Sequence, residues 1–158
     1  MLDHLRDLFR YDHQANTRWL ARLRELESVE PRTQEIMAHI PAIKKLWLMR
    51  LRTGSAEGVA FWPTLSWDAC ASLMDEMDAA YRDYLDGLAE ADLTAPAIYT
   101  NSKGTEYRTP VREVLMHVIT HGHYHRGQLA QAVRRQGDEP INTGYIFYTR
   151  EREGLADG

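Results

Sequence analysis

Four of the seven histidines in this 158-residue chain fall in one run, LMHVITHGHYHRGQLAQ, residues 115–131. His117, His121 and His125 are spaced four apart. On an α-helix that spacing puts side chains on one face, one turn apart, with an offset of roughly 40° per step. His123 falls on the opposite side and faces solvent or an interface. Adjacent neutral imidazoles in such a row can hold one divalent cation. The outer pair would lie about 12 Å apart along the axis, at 1.5 Å rise per residue, too far to share an ion. One helix therefore offers two ligands, either His117 with His121 or His121 with His125, and a third must come from elsewhere. Glu113, one turn before His117, is a carboxylate alternative only if the site slides toward the helix start. His39, among apolar neighbours on another helical run, is the histidine that fits best. Two histidines one turn apart plus one from a second helix make a facial three-nitrogen site with open positions, as in catalytic zinc centres. His4 and His13 lie nine apart, on different registers of the first helix, and are not expected as ligands. No HExxH glutamate adjoins the row, which argues against a zincin-type peptidase.

The elements that must position these residues read as helices. Leu2 to Leu26 repeats apolar residues at three- and four-residue intervals, and Pro31 closes the connection that follows. Thr33 to Arg52 repeats the pattern around Ile36, Met37, Ile40, Ile43, Leu46 and Trp47, with Pro41 expected to kink it near Met37. A loop rich in glycine and proline spans Gly54–Ser66, and its Phe61 and Trp62 are expected to fold down onto the helices. Ser66 caps a third helix running to about Leu88. Ile98–Thr100 and Glu106–Arg108 are β-prone runs around Asn101–Gly104 and read as a small hairpin or a long ordered loop. Thr109 and Pro110 read as N-cap and first residue of a fourth helix that ends near Gln136, with Gly137 following. The apolar Tyr145–Tyr148 segment packs back over the bundle or meets a partner. The expected fold is all-α, a four-helix bundle with a possible short hairpin between helices three and four. It occupies one domain over residues 1–152, with 153–158 a disordered tail.

Composition narrows the classes. The chain is long enough for one domain with a real core. A net charge of −4 argues against nucleic acid as the main partner. The single cysteine, Cys70, excludes an intramolecular disulfide and fits a reducing cytoplasm. No apolar run approaches the roughly 20 residues of a membrane span, and the N-terminus has no signal-peptide core.

Several stretches resemble a known family. HVITHGHYHRGQLAQAVRRQG, with its H-x3-H-R-G-Q core, is similar to the signature helix of the DinB-like (DinB/YfiT-like) four-helix proteins. YDHQANTRWLARL resembles that family's first-helix opening, HIPAIKKLWLMRL its second-helix motif and, more loosely, INTGYIFY its final segment. The resemblance implies a four-helix bundle, a homodimer, and a divalent metal held by His39, His121 and His125, with His117 a neighbour that packs or bonds nearby. Zinc or nickel is the first expectation, iron or manganese the next. It further implies a metal-dependent enzyme, first of all a transferase joining a low-molecular-weight thiol to a small electrophile. A metal-dependent hydrolase and a non-catalytic metal-binding stress-response protein are the alternatives. Arg126 and Gln128 are expected to lock helices together or to orient a ligand from behind, and Gly127 to allow a close helix crossing. Tyr11 and Asn16 pack or line the cleft, and Trp19, Trp47 and Tyr124 belong to the core.

Overall fold

The computed structural model describes residues 1–155. Its elements are α1 (Leu2–Glu25), α2 (Pro31–Thr53), α3 (Trp67–Asp86), β1 (Pro96–Thr100), β2 (Glu106–Pro110), α4 (Val111–Arg135) and α5 (Tyr145–Arg152), with a 3-10 turn at Glu90–Thr94 before β1. Each of α1 and α2 packs against both α3 and α4, so α1 and α2 face each other across the bundle centre. None of the described helices is long and apolar enough to cross a membrane.

Local chemistry fixes the helix ends. Pro31 occupies the first turn of α2, where its missing N–H is not needed. Gly54 ends α2 in the left-handed region at φ 75° and donates its N–H to the Arg50 carbonyl. Ser66 Oγ accepts from the Ala69 N–H and caps α3. Gly137, at φ 88°, closes α4 in the same left-handed way.

The hairpin pairs Ile98 with Arg108 and Tyr99 with Tyr107 in antiparallel register. It also corrects the expected start of α4. Thr109 is not an N-cap: it pairs with Ala97 in the ladder, and its hydroxyl lies 3.2 Å from that of Tyr99. The strand continues through Pro110, and helix begins only at Val111, whose N–H bonds the Ala95 carbonyl.

Pro41 lies inside α2, which nevertheless runs unbroken from Pro31 to Thr53. A proline frees the carbonyl four residues earlier, here that of Met37. The Cys70 thiol reaches that carbonyl from α3 at 3.7 Å. Burial pushes this thiol up to about 11, so it serves as a donor within the core and not as a nucleophile.

Two apolar clusters fill the bundle. One gathers Leu5, Phe9, Tyr81, Leu85, Leu115 and Val118. The other gathers Trp19, Leu23, Met37, Ile40, Cys70 and Leu129. Between them on α1, α2 and α4 lie charges taken wholly out of water. Asp12 is 0% exposed. It receives Lys44 Nζ at 2.9 Å and Arg126 Nη1 at 2.6 Å. Asn16 joins by donating to Asp12 at 3.1 Å and accepting from Arg126 at 2.8 Å. Gly122 makes room: a Cβ there would stand 2.6 Å from Asp12 Oδ1. The close approach in α4 is thus at Gly122. Gly127, the expected position, has nothing within 4 Å of where its Cβ would be.

The C-terminal segment folds back onto α1. Tyr11 Oη donates to the Thr143 carbonyl at 2.7 Å and Trp19 Nε1 to the Thr143 hydroxyl at 3.1 Å. From α5, Tyr148 donates to Asp7 at 3.0 Å, and Arg152 pairs with the same carboxylate. Of the expected tail 153–158, Glu153–Leu155 close α5 through backbone bonds, and residues 156–158 lie outside the described residues.

Asp12→Ala would leave two buried cations without their anion, and its expected loss of stability is about 3–5 kcal/mol, read from urea unfolding. The pH dependence follows from the same contacts. Burial pushes the Asp12 carboxyl up, but the charges and hydrogen bonds of Lys44 and Arg126 outweigh it and hold the group below its ordinary 3.8. Its stabilisation is therefore full above 3.8 and is lost as pH falls through the lower folded value. The urea midpoint of the wild type is expected to drop below about pH 4 more steeply than that of Asp12→Asn.

Candidate metal centre

The charged layer and the histidines occupy the same turns of the same helices. On α4, Arg126 points to Asp12 while the preceding His125 points the other way, toward α2. On α2, Lys44 reaches Asp12 from one turn beyond Ile40, and His39 meets the histidines of α4. The three imidazoles of His39, His121 and His125 come together, with one ring nitrogen of each within 4.8 Å of the others. Ring centroids lie 4.4 Å apart for His121 and His125, and 5.0 and 4.7 Å from these to His39.

The hydrogen bonds of the outer nitrogens decide which atoms face inward. His39 Nδ1 donates to the Phe61 carbonyl at 2.6 Å. His125 Nδ1 donates to Gln128 Oε1 at 2.8 Å, and Gln128 Nε2 in turn donates to Tyr124 Oη at 3.1 Å. Each of these rings therefore presents a bare Nε2 lone pair, held in orientation from behind, as metal-ligating histidines are. His121 Nε2 stands 3.1 Å from His125 Nε2. Two nitrogens bound tetrahedrally at 2.0–2.1 Å to one zinc would be about 3.4 Å apart. The pair is already at ligand spacing.

Electrostatics favours the neutral form that a metal needs. Burial, followed by the neighbouring rings of His125, His39 and His117, pulls His121 down to about 3. Burial also lowers His39 and His125, each assisted by the positive Arg32. His39 and His125 are both 6% exposed, while His121 is half-buried. The cluster contains no carboxylate or thiolate among the described residues. These residues could hold one divalent ion through three nitrogens and leave its remaining positions open.

His117, the third histidine of the α4 row, stays outside. Its ring is exposed, 5.8 Å from that of His121, with its edge against Trp47. Among the others, His123 is exposed and meets the Tyr11 hydroxyl at 3.5 Å. His4 lies edge-on to Tyr145, and His13 lies 3.8 Å from Asp75. Arg126 and Gln128 divide the two roles expected of them: Arg126 locks helices through Asp12, and Gln128 orients His125. Asn16 and Tyr11 are packing residues of the α1 interface.

Three features of the site had weak signals in the chain. Trp62 lies flat on His39, ring centroids 3.7 Å apart and planes 7° from parallel, with Arg32 4.2 Å above its other face. Its descent from the loop was expected, its partner was not. Tyr124 is no core residue: 63% exposed, it stands edge-on to His125 beside the cluster. Lys44 and Asp12 could have been found as charges interrupting apolar stripes, at Ile40–Lys44–Leu48 and Leu8–Asp12–Ala15.

The chain is similar to known proteins over most of its length. The sequence profile of the DinB family matches residues 1–154. The Protein DinB of Bacillus subtilis (strain 168) is 26% identical over 164 aligned residues, covering 94% of this chain and 95% of that protein.

Gln128→Leu removes the acceptor behind His125 while preserving helix and bulk. Zinc affinity, measured by chelator competition, is expected to fall about 10–100-fold, with the far-UV circular dichroism unchanged.

Proposed function

The chain belongs to the DinB family, and from that premise we propose that it is a divalent-metal-dependent enzyme that transfers a low-molecular-weight thiol to a small electrophile. One observation carries the reading: three imidazoles converge, two of them with their outer nitrogens anchored, with no carboxylate or thiolate in the cluster and with the exposed Trp62 and Tyr124 against His39 and His125.

His39, His121 and His125 are the proposed ligands, with zinc or nickel the ions their nitrogens suit best. A divalent cation held there supplies Lewis acidity that favours a thiolate over a thiol at neutral pH. The chain's own residues do the rest. Phe61 and Gln128 hold two rings in register. Burial keeps the three imidazoles unprotonated, so they remain ligands near neutral pH. Trp62 and Tyr124 offer aromatic surface on which an apolar or aromatic electrophile can rest. In the reaction the thiol loses its proton to solvent, its sulfur bonds the electrophilic carbon, and the leaving group departs or, in an epoxide, the ring opens. A thiol suits a site without a carboxylate base, because its ordinary acidity near 8.5 needs far less help than that of water at about 15.7.

Purified protein is expected to carry about one divalent ion per chain by elemental analysis, and His121→Ala to carry none. Incubated with glutathione, cysteine, bacillithiol or mycothiol and a chloro-aromatic or epoxide, the loaded protein is expected to form the S-conjugate, and His121→Ala is not. Hydrolysis of a test ester without conjugate formation would move the assignment to a hydrolase. A loaded ion with no turnover of either kind would leave a non-catalytic metal-binding protein.

A further inference from the structure

A pocket lies at the C-terminal end of α2. It is a cleft of about 350 Å³ between the last turns of α2, the 55–61 loop and the tip of the hairpin. Gly54 pins these parts together. Its carbonyl accepts from the Thr100 N–H at 2.9 Å, and a Cβ on it would crowd the Ile98 carbonyl at 3.1 Å.

Arg50 lines this cleft and is 8% exposed. Its guanidinium lies over the ring of Trp47 at 4.8 Å and that of Tyr99 at 5.5 Å. No carboxylate or carbonyl among the described residues accepts a hydrogen bond from it, and its Nε is buried without a partner. The Nε of Arg126 is likewise buried without a partner, but Arg126 and Lys44 both meet the Asp12 carboxylate, whereas Arg50 meets none. The two rings and the C-terminal end of α2 offset part of the cost of burying the charge. They do not satisfy a planar fork of five N–H donors, whose natural complement is a carboxylate or a phosphate. The one carboxylate on the cleft wall, Glu57, is exposed and forms no ion pair with Arg50. Ser55, Thr100 and Ser102 add hydroxyls around the opening, and Leu46 and Val59 an apolar floor.

We propose that this cleft is a binding site for a small oxyanion-bearing molecule, a carboxylate or a phosphate ester, with Arg50 as its anchor. The site stands on different residues from the histidine cluster and does not depend on any metal there. Phe61 borders both, its carbonyl holding His39 and its residue closing the cleft wall.

The test uses the protein as purified, titrated with inorganic phosphate and with benzoate at ionic strength fixed by sodium chloride. Binding is read by calorimetry and by the Arg50 Nε–H resonance in ¹H–¹⁵N spectra. Saturable binding of at least one anion is expected, with a concerted shift of that resonance, and Arg50→Gln is expected to weaken it tenfold or more. Tighter binding of phosphate or of benzoate tells which oxyanion the site prefers. Wild-type affinity in Arg50→Gln would put the anion at the histidine centre and overturn the proposal. If that variant fails to fold, the Nε–H resonance of the unaltered protein decides, and its indifference to both anions overturns the proposal equally.

Discussion

The structure depends on one carboxylate placed where water cannot reach it. Asp12 sits at the centre of the bundle and takes a guanidinium from α4 and an ammonium from α2. A buried charge without partners is costly, so these two cations must arrive together with their anion. That requirement fixes the mutual height of α1, α2 and α4. Apolar side chains alone tolerate sliding and repacking, whereas a charge-assisted hydrogen bond of 2.6 Å does not. Gly122 belongs to the same constraint, since any side chain there would occupy the place of the Asp12 oxygen.

The histidine cluster inherits its precision from this layer. Lys44 and His39 are five residues apart on α2, and Arg126 directly follows His125 on α4. Setting Lys44 and Arg126 on one carboxylate therefore sets His39 against His121 and His125 on the other side of the same turns. Fine adjustment comes from the outer nitrogens. The loop supplies the Phe61 carbonyl and the flat face of Trp62, and α4 supplies Gln128. The charged layer behind and the aromatic surface in front have different chemistry. Behind lie Lys44 and Arg126 held on Asp12, and in front lie the exposed Trp62 and Tyr124. The Arg50 cleft shows the reverse case, a buried cation for which the fold provides rings but no anion.

Much of this is legible in the sequence. Helix α4 announces itself through its apolar period and the glycine after its end, and the 4-residue histidine spacing states that two ligands share a face. The β-branched and aromatic runs around Asn101–Gly104 allow a hairpin or an ordered loop, and the ladder of β1 with β2 settles it as a hairpin. Thr109–Pro110 was misread because the pair fits a helix start and a strand end equally well. Only pairing with Ala97 and Pro96 distinguishes the two. Tyr124 was assigned to the core by its type, although its position places it on the rim. The close approach expected at Gly127 falls instead at Gly122, because one glycine in a helix looks like another until the opposing side chain is known.

The sequence by itself determined the local elements, the all-α class and the identity of the histidines, because these rest on periodicity and on the chemistry of single residues. Residue spacing left His117 and His125 equivalent as partners of His121, and resemblance to a family chose between them. Tertiary structure alone decided that Phe61 and Gln128 anchor the rings of His39 and His125, that Asp12 and not a surface acid holds Arg126, and that Arg50 lies buried beside an open cleft. Most of these are relations between residues distant in the chain. Such relations follow from which helices become neighbours and at what height, and that is set by the burial of charge across the bundle centre.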